Sequence, residues 1–151
     1  MENFNSVDEL LDFAVAKEEE SACFYTNLAQ RMQKPNMRQV FEDFAKEELG
    51  HKAKLLAVKR EKLLAPVEQT VQDLKIADYL VEEEVRDDME YDGALRLAMQ
   101  QEKASFKLYT HLAWATDNAR LRATLLSLAQ EEAKHKLRFE IEYDEVILKG
   151  N

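Results

Sequence analysis

The sequence predicts an all-α protein, a four-helix bundle made of two helical hairpins, on three observations. Apolar residues recur at helical spacing through almost the whole chain, and no period-2 stretch competes. Only 3 Gly and 2 Pro among 151 residues leave little turn chemistry for a many-stranded fold. The second half also repeats the first at a fixed offset of 84 residues, without a gap.

The first helix is expected to start at Ser6, whose hydroxyl can cap the first turn while Glu9, three residues on, reaches back in a capping box. It should end near Gln33. Pro35 suits the first turn of the second helix, where a missing N–H costs nothing, and Pro66 cannot continue it, so this helix spans roughly Asn36 to Leu64. Asp92-Gly93 marks the start of the third helix. Thr116-Asp117-Asn118 supplies cap candidates before a fourth that runs to about Leu148. Between the hairpins, Pro66 to Tyr91 carries a short amphipathic pattern, Val71, Leu74, Ala77, Val81, Val85 and Met89, with Glu82-Glu83-Glu84 read as a solvated face.

The repeat pairs Leu11 with Leu95, Ala14 with Ala98, Glu18 with Glu102, Ser21 with Ser105 and Tyr25 with Tyr109. It continues through Ala45 and Ala129, Glu47 and Glu131, Glu48 and Glu132, His51 and His135, and Lys52 and Lys136. A duplicated hairpin implies a bundle with approximate two-fold symmetry, in which the repeated polar residues need an explanation.

Composition removes several function classes. The 46% hydrophobic and 34% charged content suits one globular domain spanning residues 1–151. No glycine pattern for a phosphate loop or dinucleotide fingerprint is present. The single cysteine, Cys23, allows no internal disulfide and no cysteine-based zinc or rubredoxin-type iron site. The net charge of −9, with no Lys/Arg patch, disfavours nucleic acid. The longest uncharged run, Ser21 to Gln30, falls far short of the roughly 18 residues of a membrane span, and no signal pattern opens the chain, so a cytoplasmic location is expected.

Each helix carries a stripe with alternating spacings of 3 and 4, the seam that faces a bundle interior. The first seam is Leu11, Ala14, Glu18, Ser21, Tyr25, Leu28, Met32; the second is Met37, Phe41, Phe44, Glu48, His51, Leu55, Val58. The third is Leu95, Ala98, Glu102, Ser105, Tyr109, Leu112; the fourth is Leu121, Leu125, Leu128, Glu132, His135, Phe139. Carboxylates and imidazoles thus stand where leucine is ordinary. Glu18, Glu48, Glu102 and Glu132 lie 13 to 15 residues from their hairpin turns, so at about 1.5 Å per residue all four reach one level.

Four buried, ionised carboxylates would repel one another and lose hydration worth several kcal/mol each. Two divalent cations offset that charge with both histidines neutral, and oxygen-rich ligation with one imidazole per metal suits iron or manganese. Glu-x-x-His places both ligands on one helical face. With Glu at 20 of 151 positions a lone match would mean little, but two of the three histidines match, in the seam and in register with the repeat. Among Glu18, Glu19 and Glu20, only Glu18 has a glutamate 84 residues on. Tyr25 and Tyr109, two turns from Glu18 and Glu102, either hydrogen-bond the ligand carboxylates or are core aromatics satisfied elsewhere. His111, off the seam, reads as a surface or interface residue and Cys23 as inert; Trp114 reads as core in preference to a subunit contact.

Glu18 with Phe24-Tyr25, Glu48-Leu49-Gly50-His51, Glu102 with Leu108-Tyr109, and Glu132-Ala133-Lys134-His135 resemble the rubrerythrin-like branch of the ferritin-like di-iron carboxylate superfamily. The resemblance covers nearly the whole chain. It implies a ferritin-like bundle with a long crossover between the second and third helices, Glu48 and Glu132 bridging two irons, Glu18 and Glu102 as terminal ligands, and His51 and His135 on opposite metals. It also implies a redox activity in which peroxide or dioxygen is reduced by electrons from an external donor, rubredoxin-like or a flavoprotein. Ferrous-iron oxidation or handling, and a non-catalytic metal-binding module, are the rival readings; a homodimer is the expected assembly.

Two departures from that family stand out. Classical rubrerythrins carry a four-cysteine rubredoxin domain, which a sequence whose one cysteine is Cys23 cannot supply, so electrons are expected from a separate protein. They also use an extra carboxylate one turn along the third helix from its glutamate ligand, where this chain has Ser105 and Phe106.

Overall fold

The computed structural model describes residues 7–60, 81, 85–86, 88–116 and 118–150. Four helices account for most of them: α1 (Val7–Arg31), α2 (Pro35–Arg60), α3 (Tyr91–Ala115) and α4 (Ala119–Glu142), the last continuing into a π-helical turn, Tyr143–Leu148. The Ser6 cap, the end of the second helix beyond Arg60, and most of the Pro66 to Tyr91 connection lie outside the described residues.

Helix boundaries follow local chemistry. Pro35 opens α2, and the Lys34 carbonyl accepts from the N–H groups of Met37 and Arg38, each at 3.1 Å. Asn118 caps α4, its side chain accepting from the Leu121 N–H at 3.0 Å. The third helix starts at Tyr91 rather than at Asp92-Gly93: Glu90 is extended and its carbonyl already accepts from the Ala94 N–H at 2.9 Å, so Asp92 and Gly93 belong to the first turn. The fourth helix stays α-helical only to Glu142. The wider turns beyond it bring Tyr143, Val146 and Ile147 onto the core, and Gly150 ends the chain's described part at a φ of +71°.

The duplication extends to the turns. Arg38 Nε donates to the Ala29 carbonyl at 3.2 Å, and Arg122 Nε donates to the Ala113 carbonyl at 2.9 Å. Each arginine bonds a carbonyl in the last turn of the preceding helix, which ties the two arms of each hairpin together.

α1 packs mainly on α2 and α3 on α4, and the hairpins meet through α1 with α3 and α2 with α4. Every seam residue named from the sequence is buried except Met37, which is half-buried. The buried apolar residues segregate into two layers. One contains Leu11, Leu55, Leu108, Leu112, Leu121, Leu125 and Leu128; the other contains Tyr25, Leu28, Phe41, Phe44, Leu95 and Phe139. In the aromatic layer Phe44 and Phe139 sit 4.1 Å apart, and Tyr25 stacks 5.7 Å from Phe139. At about 1.5 to 3 kcal/mol per fully buried large side chain, these layers supply the free energy that holds a polar stratum between them.

Candidate metal centre

That stratum takes one residue or two from every helix: Glu18 from α1, Glu48 and His51 from α2, Glu102 from α3, Glu132 and His135 from α4. None is more than 4% exposed. Their donor atoms form two quartets, each with all four atoms within 4.8 Å of one another: Glu18, Glu48, His51 and Glu132 in one, Glu48, Glu102, Glu132 and His135 in the other. Glu48 and Glu132 belong to both.

The histidines face this interior through Nδ1. His51 Nδ1 lies 2.6 Å from Glu132 and 3.7 Å from both Glu18 and Glu48; His135 Nδ1 lies 3.2 Å from Glu48 and 3.5 Å from Glu102. The rings are near-parallel, 5.6 Å between centroids. Across the hairpins, the Tyr25 hydroxyl donates to Glu102 and the Tyr109 hydroxyl to Glu18, each a short hydrogen bond.

Electrostatics within the bare stratum are adverse. Burial holds the Glu18 carboxyl well above the ordinary value of 4.5, and the neighbouring charge of Glu48 raises it further. Glu132 is raised by burial, then by Glu102 and Glu48. Burial lowers His51. It also acts against His135, but there the carboxylates of Glu102 and Glu48 outweigh it and lift the imidazole to about 10. The two tyrosines are pushed well above 10 by burial and then by the carboxylates they face, Glu102 and Glu48 for Tyr25, Glu18 and Glu132 for Tyr109, so each stays a hydrogen-bond donor.

Eight of the donor atoms facing the interior have no hydrogen-bond partner: Glu18 Oε2, both oxygens of Glu48 and of Glu132, Glu102 Oε2, and Nδ1 of each histidine. Buried polar atoms are rarely left so, because each costs about 1 to 3 kcal/mol, more when charged. Orphans that converge with oxygen-rich, one-imidazole-per-quartet chemistry fit a pair of divalent cations such as iron or manganese.

The sequence matches the Rubrerythrin family over residues 9–143. The chain belongs to the rubrerythrin family. A hypothetical protein from Pyrococcus furiosus shares the fold with a TM-score of 0.73 at 22% identity, covering 97% of this chain and 92% of its own. A conserved hypothetical protein from Mycobacterium tuberculosis matches with a TM-score of 0.65 at 17% identity, covering 89% of this chain and 94% of its own. No curated protein matches.

Within this rubrerythrin-type bundle, all six sequence-derived ligand candidates come together, and the Tyr25 and Tyr109 hydroxyls hydrogen-bond two of them, Glu102 and Glu18. At the position of the family's extra third-helix carboxylate, Ser105 is buried and Phe106 is 41% exposed. Cys23 is exposed and His111 half-buried. The expectation that Trp114 is core is corrected: it is 64% exposed, and the Arg122 guanidinium stacks 4.8 Å over its ring. With the Arg122 side chain bonded to the end of α3, the indole finds a cation at the surface in place of a slot between helices.

Four polar residues beside the site carried no sequence-derived role. Gln101, buried, donates to Ser21 Oγ at 3.0 Å across α1 and α3. Glu131 and Glu47 stand against the outer edges of His51 and His135, at 2.9 and 3.3 Å from Nε2. The last two were visible as a repeated pair, but only the packing of α2 on α4 shows which atoms they meet. Among the described residues, no helix is long and apolar enough to cross a membrane.

Proposed function

We propose that this chain is a non-haem di-iron oxidoreductase of rubrerythrin type, which reduces peroxide or dioxygen with electrons from an external protein donor, rubredoxin-like or a flavoprotein. The observation that supports it most is the sharing of Glu48 and Glu132 by two four-atom donor sets inside a bundle of this family. In this reading Glu48 and Glu132 would be shared by both metals, Glu18 and His51 would complete one ligand set, and Glu102 and His135 would complete the other. Two bound irons supply Lewis acidity and a pair of transferable electrons.

The chain's own residues do the rest. Tyr109 and Tyr25 hold Glu18 and Glu102 in place by hydrogen bonds from the opposite hairpin. The aliphatic and aromatic layers exclude bulk water above and below, which keeps the electrostatics of the site strong. Ser105 supports a second reading, ferrous-iron oxidation or handling, because a hydroxyl at that buried position cannot supply an additional anionic ligand.

Anaerobic loading with Fe(II), followed by a pulse of peroxide or dioxygen with and without a reducing donor, separates the two. Repeated donor-dependent consumption is the expected result. A single oxidation that the donor does not renew, or growth of a ferric mineral, overturns the oxidoreductase reading in favour of iron handling.

A further inference from the structure

Glu47 and Glu131 immediately precede the shared carboxylates Glu48 and Glu132, so each lies about 100° around its helix from the interior and at the seam between α2 and α4. Each then reaches the other hairpin. Glu131 Oε2 lies 2.9 Å from His51 Nε2, and Glu47 Oε1 lies 3.3 Å from His135 Nε2. The contacts are reciprocal under the repeat, as are their supports: Lys54 is 3.3 Å from Glu131, and Arg138 is 3.1 Å from Glu47.

The two nitrogens of each ring are therefore unequal. Nε2 faces a single carboxylate at the outer edge of the site, whereas the buried Nδ1 points into the carboxylate cluster, nearest Glu132 for His51 and Glu48 for His135, and makes no hydrogen bond there. A neutral imidazole carries one proton, and a carboxylate partner accepts it at Nε2, leaving the Nδ1 lone pair free. Glu47 and Glu131 are themselves about 40% exposed, so as ion pairs with Arg138 and Lys54 they are screened and contribute little to stability. Their placement has a better explanation.

We infer that Glu131 and Glu47 are positioning residues that fix His51 and His135 in the Nε2–H tautomer, presenting Nδ1 to the metals. Each Glu-Glu-x-x-His run thus gives two ligands to its own face of the site and orients the histidine of the other run, so the hairpins complete each other's metal sites. This rests on the two-metal reading of the centre and is independent of which reaction it performs.

The probe is Co(II) titrated into the full chain, followed by its visible absorption and by the paramagnetically shifted, exchangeable imidazole N–H proton resonances. The wild type is expected to bind two Co(II) and show two such resonances. Glu131→Ala should weaken one Co(II) by about 10- to 100-fold and remove or broaden one resonance, with the second ion retained. Glu47→Ala should do the same for the other, and Glu131→Gln, which keeps an acceptor oxygen, should restore the resonance and part of the affinity. A merely structural role would lower the melting temperature and leave both resonances in place. Two Co(II) at wild-type affinity with both resonances intact in the two alanine variants overturns the inference alone; a wild type that takes up no Co(II) overturns the two-metal reading and this inference with it.

Discussion

The Tyr109 hydroxyl on α3 donates its hydrogen bond to Glu18 on α1, and Tyr25 on α1 donates to Glu102 on α3. The exchange crosses the boundary between the hairpins, so Glu18 and Glu102 are each oriented by the half of the molecule that does not contain them. Removing the phenol oxygen leaves ring packing intact and takes away one donor. Tyr109→Phe and Tyr25→Phe should each fold, lose about 1 kcal/mol of metal-free stability, and weaken metal binding by about 10-fold. Thermal melts of the metal-free proteins and Co(II) titrations measure the two effects; unchanged affinity in the double variant would count against any role for the phenols in the centre.

Glu48 and Glu132 are the residues common to both donor sets, and neither has a hydrogen-bonded oxygen. Replacing both by glutamine keeps their size and removes two buried charges. Glu48→Gln with Glu132→Gln should abolish uptake of both metals while raising metal-free stability by about 1 to 3 kcal/mol, because the remaining carboxylates lose their nearest repulsive neighbours. Metal analysis beside a denaturant titration reads both; retention of two metals by the double variant would show that the ligands lie elsewhere.

Chelation of the native protein should act in the opposite sense. Cations that bind only the folded chain stabilise it by mass action, about 2.7 kcal/mol when free metal stands at 100 times its dissociation constant. A melting temperature that is unmoved by exhaustive chelation of metal-replete protein would argue against a native metal site.

The dependence on pH follows from the raised carboxyls. Glu18 and Glu132 are protonated more readily in the folded, metal-free chain than in the unfolded one, whose carboxyls keep ordinary values near 4.5. Above that value the folded state binds more protons, so metal-free stability should fall as pH rises through the raised folded values, the reverse of the usual carboxylate behaviour. Metal binding must expel those protons, and it should therefore tighten with pH and release protons in weakly buffered titrations. Melts and proton-release measurements between about pH 5 and pH 8 check both signs.

Sequence alone determined the parts that depend on period and count. Seam residues such as Leu55, Phe44 and Leu125 are buried where a 3.6-residue period puts them, because an apolar stripe has only one way to leave water. The level of Glu18, Glu48, Glu102 and Glu132 followed from rise per residue, which is why the six ligand candidates could be named from the sequence and are found together. Tertiary structure decided what depends on facing partners. Helical periodicity says that Tyr25 and Tyr109 point inward, but which carboxylate each meets is set by the pairing of α1 with α3. Glu47 and Glu131 are visible in the sequence only as a repeated pair with no role, and the approach of α4 to α2 brings them to the far nitrogens of His135 and His51. Trp114 is expected from the sequence in the core in preference to a subunit contact, yet the bond from Arg122 to the end of α3 sets a guanidinium over its exposed ring. Periodicity fixes a direction around one helix axis; a hydrogen bond requires an atom on a second element at about 3 Å, and that distance exists only once the helices have packed.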